Sequence, residues 1–370
     1  MKKIEKIFNI PEIKDNCRFW MIRTNDGEFY DEFVNNEFVA IGWNLMTKKD
    51  LRFGMNSTSQ EFFKKKIEKE YNQKRPQAAI NKCIRFVNEL KENDIAVIIG
   101  RNRLSFVKLG SYYETESGPD AVNKELNYSE NKGEIFNTEC PYIKRRKIEI
   151  IKKISSVDEL NPYLYKVIYT NMHSLSSLDR HSEFVLNSCY DSYIRGNNIS
   201  VTFHIERESD IPALELTGFI NHTANLLSGG STDRNISVKT NLHSPGDVIL
   251  QGVGFVKDNY LIIGAILLVI FGGKGKNWEF NSLYNIILEL IDIPHKKRMQ
   301  ALQEAKLTAD VRQQQLQNEI LEYEHKKKLL SESLPHIMTA SETLEIRAAN
   351  SEIFPKNVLK KLIDESKKDF

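Results

Sequence analysis

The stretch FWMIRTNDGEFYDEFVNNEFVAIGW, residues 19–43, decides how the front of this chain is read. Two short apolar runs, 18–23 and 38–43, stand on either side of an acidic, aromatic spacer. Their β-branched and aromatic residues predict two strands joined by a turn. Trp20, Arg23 and Trp43 sit close together in such an arrangement.

Downstream, STSQEFFKKKIEKEYNQ (57–73) carries Phe62, Phe63, Ile67 and Tyr71 at helical spacing behind Ser and Thr capping candidates. QAAINKCIRFVNEL (77–90) predicts a second helix with Ile80, Ile84, Val87 and Leu90 mostly on one face. KENDIAVIIG reads as a charged turn entering a buried strand, and RNRLSFVKLGSYYE as the strand after it. The segment 114–139 is polar and turn-rich and is expected to be a loop. PYIKRRKIEIIKKI (141–154) returns to strand character, with six Lys and Arg between 144 and 153.

The chain has 370 residues, which favours two or three domains over one core. Its 41% hydrophobic and 28% charged residues describe a globular protein rather than a disordered one. A net charge of +2 sets up no global field for polyanions, so any such partner must be met by a local patch. The four cysteines, Cys17, Cys83, Cys140 and Cys189, are scattered and suit a reducing compartment rather than a disulfide framework. MKKIEKIFNI lacks the apolar centre of a signal peptide, and the expected localisation is cytoplasmic.

YLIIGAILLVIFGG (260–273) is the longest uncharged apolar run. A membrane span needs about 20 such residues, so the first expectation is a segment buried in a core or an oligomer interface. Contact with a membrane through 260–273 is the alternative. Between 180 and 250, HSEFVLNSCYDSYIR predicts a helix, NISVTFHIERE a strand with Val201, Phe203 and Ile205 alternating, and PALELTGFINHTANLLSGG a helix with a Gly-Gly stop. ISVKTNLHSPGDVILQG adds a strand and a Pro-Gly turn. NSLYNIILELIDI is expected to end at Pro294. A long amphipathic helix follows, with the stripe Met299, Leu302, Val311, Leu316, Ile320 and Tyr323 suited to a coiled-coil-like partner, a second copy of the chain included. Pro335 and Pro355 are expected to divide the tail.

Motifs for the common enzyme classes are absent. The late Glu304-Ala-Lys306 lies inside the long helical stretch, where solvated charges are ordinary. The eight histidines form no HExxH or HxH pattern, and neither LLSGGSTDRN nor FGGKGKNW has P-loop spacing. No Ser lies in a GxSxG context. No catalytic residue, metal ligand or cofactor is assigned.

The opening stretch resembles the N-terminal PUA-like (EVE-like) module found on many Mrr-type restriction endonucleases and other bacterial defence proteins. The resemblance rests on Trp20, Ile22, Arg23 and Gly27, then Asp31, Glu32 and Phe33, then Val39, Ala40, Ile41, Gly42 and Trp43. DIAVIIGRNRLSFVKLGSYYE and RRKIEIIKKISSVDEL are similar to later strands of that module, so the likeness covers about 15–178. Where the module often has His-x-Arg-x-Val-x-Trp, this chain has Lys144, Arg146, Ile148 and Ile150. HSPGDVILQGVG, the apolar segment and the long helix are similar to uncharacterised bacterial proteins with a Ser-Pro-Gly motif and a helical tail.

The resemblance implies an α+β protein: a PUA-like β-barrel with flanking helices at 1–178, a small α+β unit at 179–255, an apolar segment at 256–293, and a long helix with its tail at 294–370, expected to oligomerise. It implies an antiviral-defence protein that senses DNA or RNA, with modified or phage-derived bases as the target. A partner protein from the same defence operon fits that setting. A membrane-acting effector built on 255–275 and a nuclease with a diverged site are the alternatives. A base held outside its stack needs a flat face, worth about 1–3 kcal/mol, and hydrogen bonds to its edges. Trp20, Trp43, Tyr112 and Tyr113 are the candidate faces, Arg23 and Asn44 the edge contacts, and Lys144, Arg145, Arg146 and Lys147 the phosphate contacts.

Overall fold

The protein is described here from a computed structural model, in which residues 10–51, 56–130, 139–157, 160–228, 236–241, 246–253, 280–305 and 309–347 are described. The chain divides into two units, Asn16–Cys189 and Met1–Asp15 with Tyr190–Phe370. Both are mixed α+β, each built on a six-stranded sheet. The first strand, β1 (Glu12–Ile13), belongs to the second of these units, where it pairs in parallel with β8 (Ser192–Arg195).

In the unit Asn16–Cys189 the strands are β2 (Phe19–Arg23), β3 (Phe38–Ile41), β4 (Ile95–Ile99), β5 (Leu104–Glu114), β6 (Lys144–Ile154) and β7 (Leu175–Ser177). Their order across the sheet is β3-β6-β5-β4-β2-β7, with β2 and β4 parallel and the other pairs antiparallel. The IAVII of β4 is buried at every position, the pattern of a strand covered on both faces. β5 and β6 carry register shifts at Phe106/Val107 and Leu109/Tyr112. At the second, one extra residue on β5 bulges the strand and re-aims Tyr112 and Tyr113. Gly110 lies there, where a Cβ would stand 3.1 Å from that of Lys147.

The spacer after β2 is more than a turn. Asn25, Asp26 and Gly27 take positive φ, and a helix, Tyr30–Asn35, follows and buries Tyr30, Phe33 and Val34. The segment expected to be a loop after β5 also holds a helix, Pro119–Glu130, which opens on proline and buries Glu125 and Tyr128. Its polar sequence hides it because the side chain it sends inward is a carboxylate. The helix Ser57–Glu70 is capped by Asn56, whose side chain accepts from Ser59 N. The helix Pro76–Ile84 continues as one π-helical turn, Arg85–Glu89.

These elements make two cores. One joins the sheet to the helix Tyr30–Asn35 through Trp20, Ile22, Phe29, Phe33, Phe38, Phe86 and Val107. The other joins the helices Ser57–Glu70 and Pro76–Ile84 to Met46 and Leu51. Trp43 and Tyr112 pack against both.

The second unit orders its strands β1-β8-β9-β11-β10, where β9 is Asn198–Ile205, β10 Ile236–Asn241 and β11 Gly246–Val253; β12 (Ile346–Arg347) also pairs with β9. HSEFVLNSCYDSYIR is split between the helix Ser182–Cys189 and β8 rather than forming one helix. Ile199, Val201, Phe203 and Ile205 of β9 enter a core with Leu216, Phe219 and Leu226 of the helix Ala213–Ser228. The helix Ala309–Thr343 completes that core with Leu330, Leu334 and Ile337. The expected stripe is only partly used: Tyr323 packs on the core, but Val311 and Ile320 are exposed. Neither proline ends its helix, since Phe280–Glu304 runs through position 294 and Ala309–Thr343 through Pro335. No helix among the described residues is long and apolar enough to cross a membrane, and the run 260–273 and Pro355 lie outside them.

Two expectations follow. Trp20 is wholly buried, so Trp20→Ala should cost about 3–5 kcal/mol by urea denaturation of the full chain. His222 stacks on His336 at 4.3 Å, and burial, then repulsion from His336, lowers its pKa. The unfolded chain therefore takes up that proton first as pH falls through about 6.5. The stability this residue supports is present above that pH and is lost toward its lower folded pKa. The melting temperature should fall less between pH 7.5 and 5 in His222→Gln than in the parent; equal falls would remove His222 as the cause.

Candidate nucleic-acid interface

The sequence-predicted contacts separate once they are placed. Trp20 is 0% exposed; its indole N–H donates to Asp94 Oδ2 at 3.0 Å and the Arg18 guanidinium covers the ring at 4.3 Å. It is a core residue and offers no face to a ligand. Arg23 donates to the carbonyls of Ile168 (3.0 Å) and Asn171 (2.9 Å), closing the end of the helix Pro162–Thr170. Asn44 is buried and fully used, donating to Ala121 O and Pro141 O and accepting from Ile143 N. Neither reads a base.

The basic run of β6 alternates as a strand must. Lys144 and Arg146 point inward and Lys147 outward. Lys144 is 0% exposed and donates from Nζ to Trp43 O (2.7 Å) and Met46 O (3.0 Å). Arg146 caps the π-helical turn through the carbonyls of Phe86, Val87 and Leu90 and also reaches Gly110 O. Burial lowers its pKa. Arg145 is half-buried over Phe38 and donates to Tyr142 O and Cys140 O. Of the four cations expected on phosphates, Lys147 is exposed and the other three hold backbone carbonyls.

What remains near the surface is the turn after β3. Trp43 is half-buried and has φ +62°, a region that bulky side chains seldom occupy. Glu125, reaching in from the helix Pro119–Glu130, fixes that turn. One carboxylate oxygen accepts Trp43 N at 2.5 Å; the other accepts Asn44 N at 2.6 Å and the Tyr71 hydroxyl at 2.7 Å. Gly42 makes room, because a Cβ there would lie 2.5 Å from Glu125 Oε1. Lys144 ties down the carbonyl side of the same turn, and Cys83 Sγ approaches Gly42 O at 3.7 Å. Burial pushes the Cys83 thiol up to about 11 and drives the Tyr71 hydroxyl far above its usual range, with the Glu125 carboxylate adding to that shift. Neither group is primed for chemistry.

The indole held this way donates from Nε1 to Gln73 Oε1 at 2.8 Å, and the Lys82 ammonium lies 5.6 Å from its ring centre. Burial lowers the Lys82 pKa. Tyr112, half-buried, has Lys48 at 5.2 Å and Arg146 at 5.6 Å, and its hydroxyl donates to Glu114. Tyr113 is half-buried against the sheet core. The structure thus groups Trp43 with Gln73, Lys82 and Tyr71, and Tyr112 with Lys48. Sequence reading missed the partners because they come from three separate helices or loops. For Glu125 the available signal was Pro119 at a helix start, with Ala121, Glu125 and Tyr128 at helical spacing. Among the described residues, no group of three or more His, Cys, Asp or Glu could hold a metal ion.

Glu125→Gln should destabilise the full chain by about 1–3 kcal/mol, because an amide offers donors where the turn needs acceptors. Thermal melts check this, and an unchanged midpoint would show that the turn holds without the carboxylate.

Residues 20–111 match the model of a domain of unknown function, DUF8426. The match takes in the Trp43 turn, Gln73, Lys82 and Tyr112 but stops short of Glu125 and β6. No curated protein and no solved structure matches the chain.

Proposed function

We propose that Asn16–Cys189 is a PUA-like module that binds nucleic acid, seating an unstacked base against Trp43 with Lys82 and Lys48 toward the phosphates. In this reading the chain senses foreign or modified nucleic acid in bacterial antiviral defence, and its second unit serves self-association. The supporting observation is the Trp43 turn: a bulky aromatic held at φ +62° by the buried Glu125 and Lys144, with its indole half at the surface. A non-glycine residue in that region costs about 1–3 kcal/mol and persists only where its surroundings over-determine it, as ligand clamps do. A tryptophan kept solely for packing needs no such backbone. The defence setting rests on the likeness of the 19–43 motif to modules of Mrr-type endonucleases.

Fluorescence anisotropy of the full chain with labelled single-stranded DNA and RNA tests the reading. Affinity should fall as salt rises, and Lys82→Ala and Lys48→Ala should each reduce the salt slope by about 0.7. Trp43→Asn, which tolerates positive φ, should weaken binding about 5- to 100-fold, the worth of one stacked base. Absence of binding, or binding indifferent to Trp43→Asn, would remove the site.

A further inference from the structure

The polar groups around the Trp43 indole are of one kind. Its N–H occupies Gln73 Oε1, which fixes the amide so that the Gln73 nitrogen keeps two donor hydrogens. Lys82 makes no ion pair among the described residues, and its contact there is with the Trp43 ring. The nearest acid of the turn, Glu125, is occupied by two backbone N–H groups and the Tyr71 hydroxyl. Tyr112 spends its hydroxyl on Glu114. The groups with unspent capacity beside the indole are therefore an amide NH₂ and an ammonium.

A ring laid on this indole meets donors at its edge and wants acceptors there. Thymine, uracil and guanine present carbonyl oxygens, whereas cytosine and adenine present an exocyclic amine. An amine directed at Gln73 and Lys82 places donor against donor and leaves a partly buried group unpaired.

We infer that the Trp43 site selects keto bases over amino bases, reading a carbonyl oxygen with Gln73 Nε2 and Lys82 Nζ. This rests on the nucleic-acid reading above and names its ligand class. The lowered Lys82 pKa is consistent with a cation partly withdrawn from water.

Thymine and cytosine oligonucleotides of equal length separate the two claims, because the bases are close in shape and differ at the 4-position. In competition at pH 7.5, the full chain should bind oligo-dT about tenfold more tightly than oligo-dC, the worth of one good edge contact. Gln73→Glu turns the donor end into an acceptor and should move the preference toward oligo-dC. Lys82→Met should reduce it to within about threefold. Equal binding of both oligonucleotides that still depends on Trp43 would overturn the keto selection and leave base stacking intact. A thymine preference unchanged by Gln73→Glu would also overturn it. Failure of every oligonucleotide to bind would sink both claims together.

Discussion

A single buried carboxylate organises the front of this protein. Glu125 accepts from the backbone on both sides of the Trp43–Asn44 peptide and from Tyr71, and so couples the helix Pro119–Glu130, the strand end after β3 and the end of the helix Ser57–Glu70. Hydrogen bonds to an ionised acceptor are roughly twice as strong as neutral ones, and three of them offset the burial of the charge. Lys144 holds the other side of the same turn through two carbonyls. With both in place, the left-handed backbone at Trp43 is the conformation that leaves fewest polar groups unpaired.

That constraint explains why the two tryptophans of one motif have different fates. Trp20 lies in β2, between β4 and β7, and a strand with neighbours on both sides and helices against its faces has no solvent side to offer. Trp43 falls just after β3, an edge strand, where the chain leaves the sheet. The difference is one of strand order, set by pairings between residues far apart in the chain.

Much of the fold was legible in the sequence. The apolar runs that became β2, β3, β4, β5 and β9 are continuous or alternating, and the helix Ser57–Glu70 is amphipathic with a capping signal. β6 carried more information than its charge suggested. Ile148 faces the core, so a period of two already places Arg146 and Lys144 on the buried side and Lys147 outside. Reading the run as a single cationic edge ignored that alternation. The helix Pro119–Glu130 was hidden because helix signals rest on apolar periodicity, and its key inward residue is charged. The partners of Trp43 could not be found from spacing at all, since Gln73, Lys82 and Glu125 meet it only after the chain has folded.

The strand β1 has a consequence for how the chain assembles. It pairs with β8 across the whole of Asn16–Cys189, so that unit is inserted into its neighbour rather than threaded before it. The insert's own ends lie near each other, close enough for Cys17 to influence the Cys189 thiol. Once the insert has folded, β1 reaches β8 at the closure entropy of a short loop instead of a long one. Assembly therefore runs from the inside outward, and the order of synthesis does not match the order of completion.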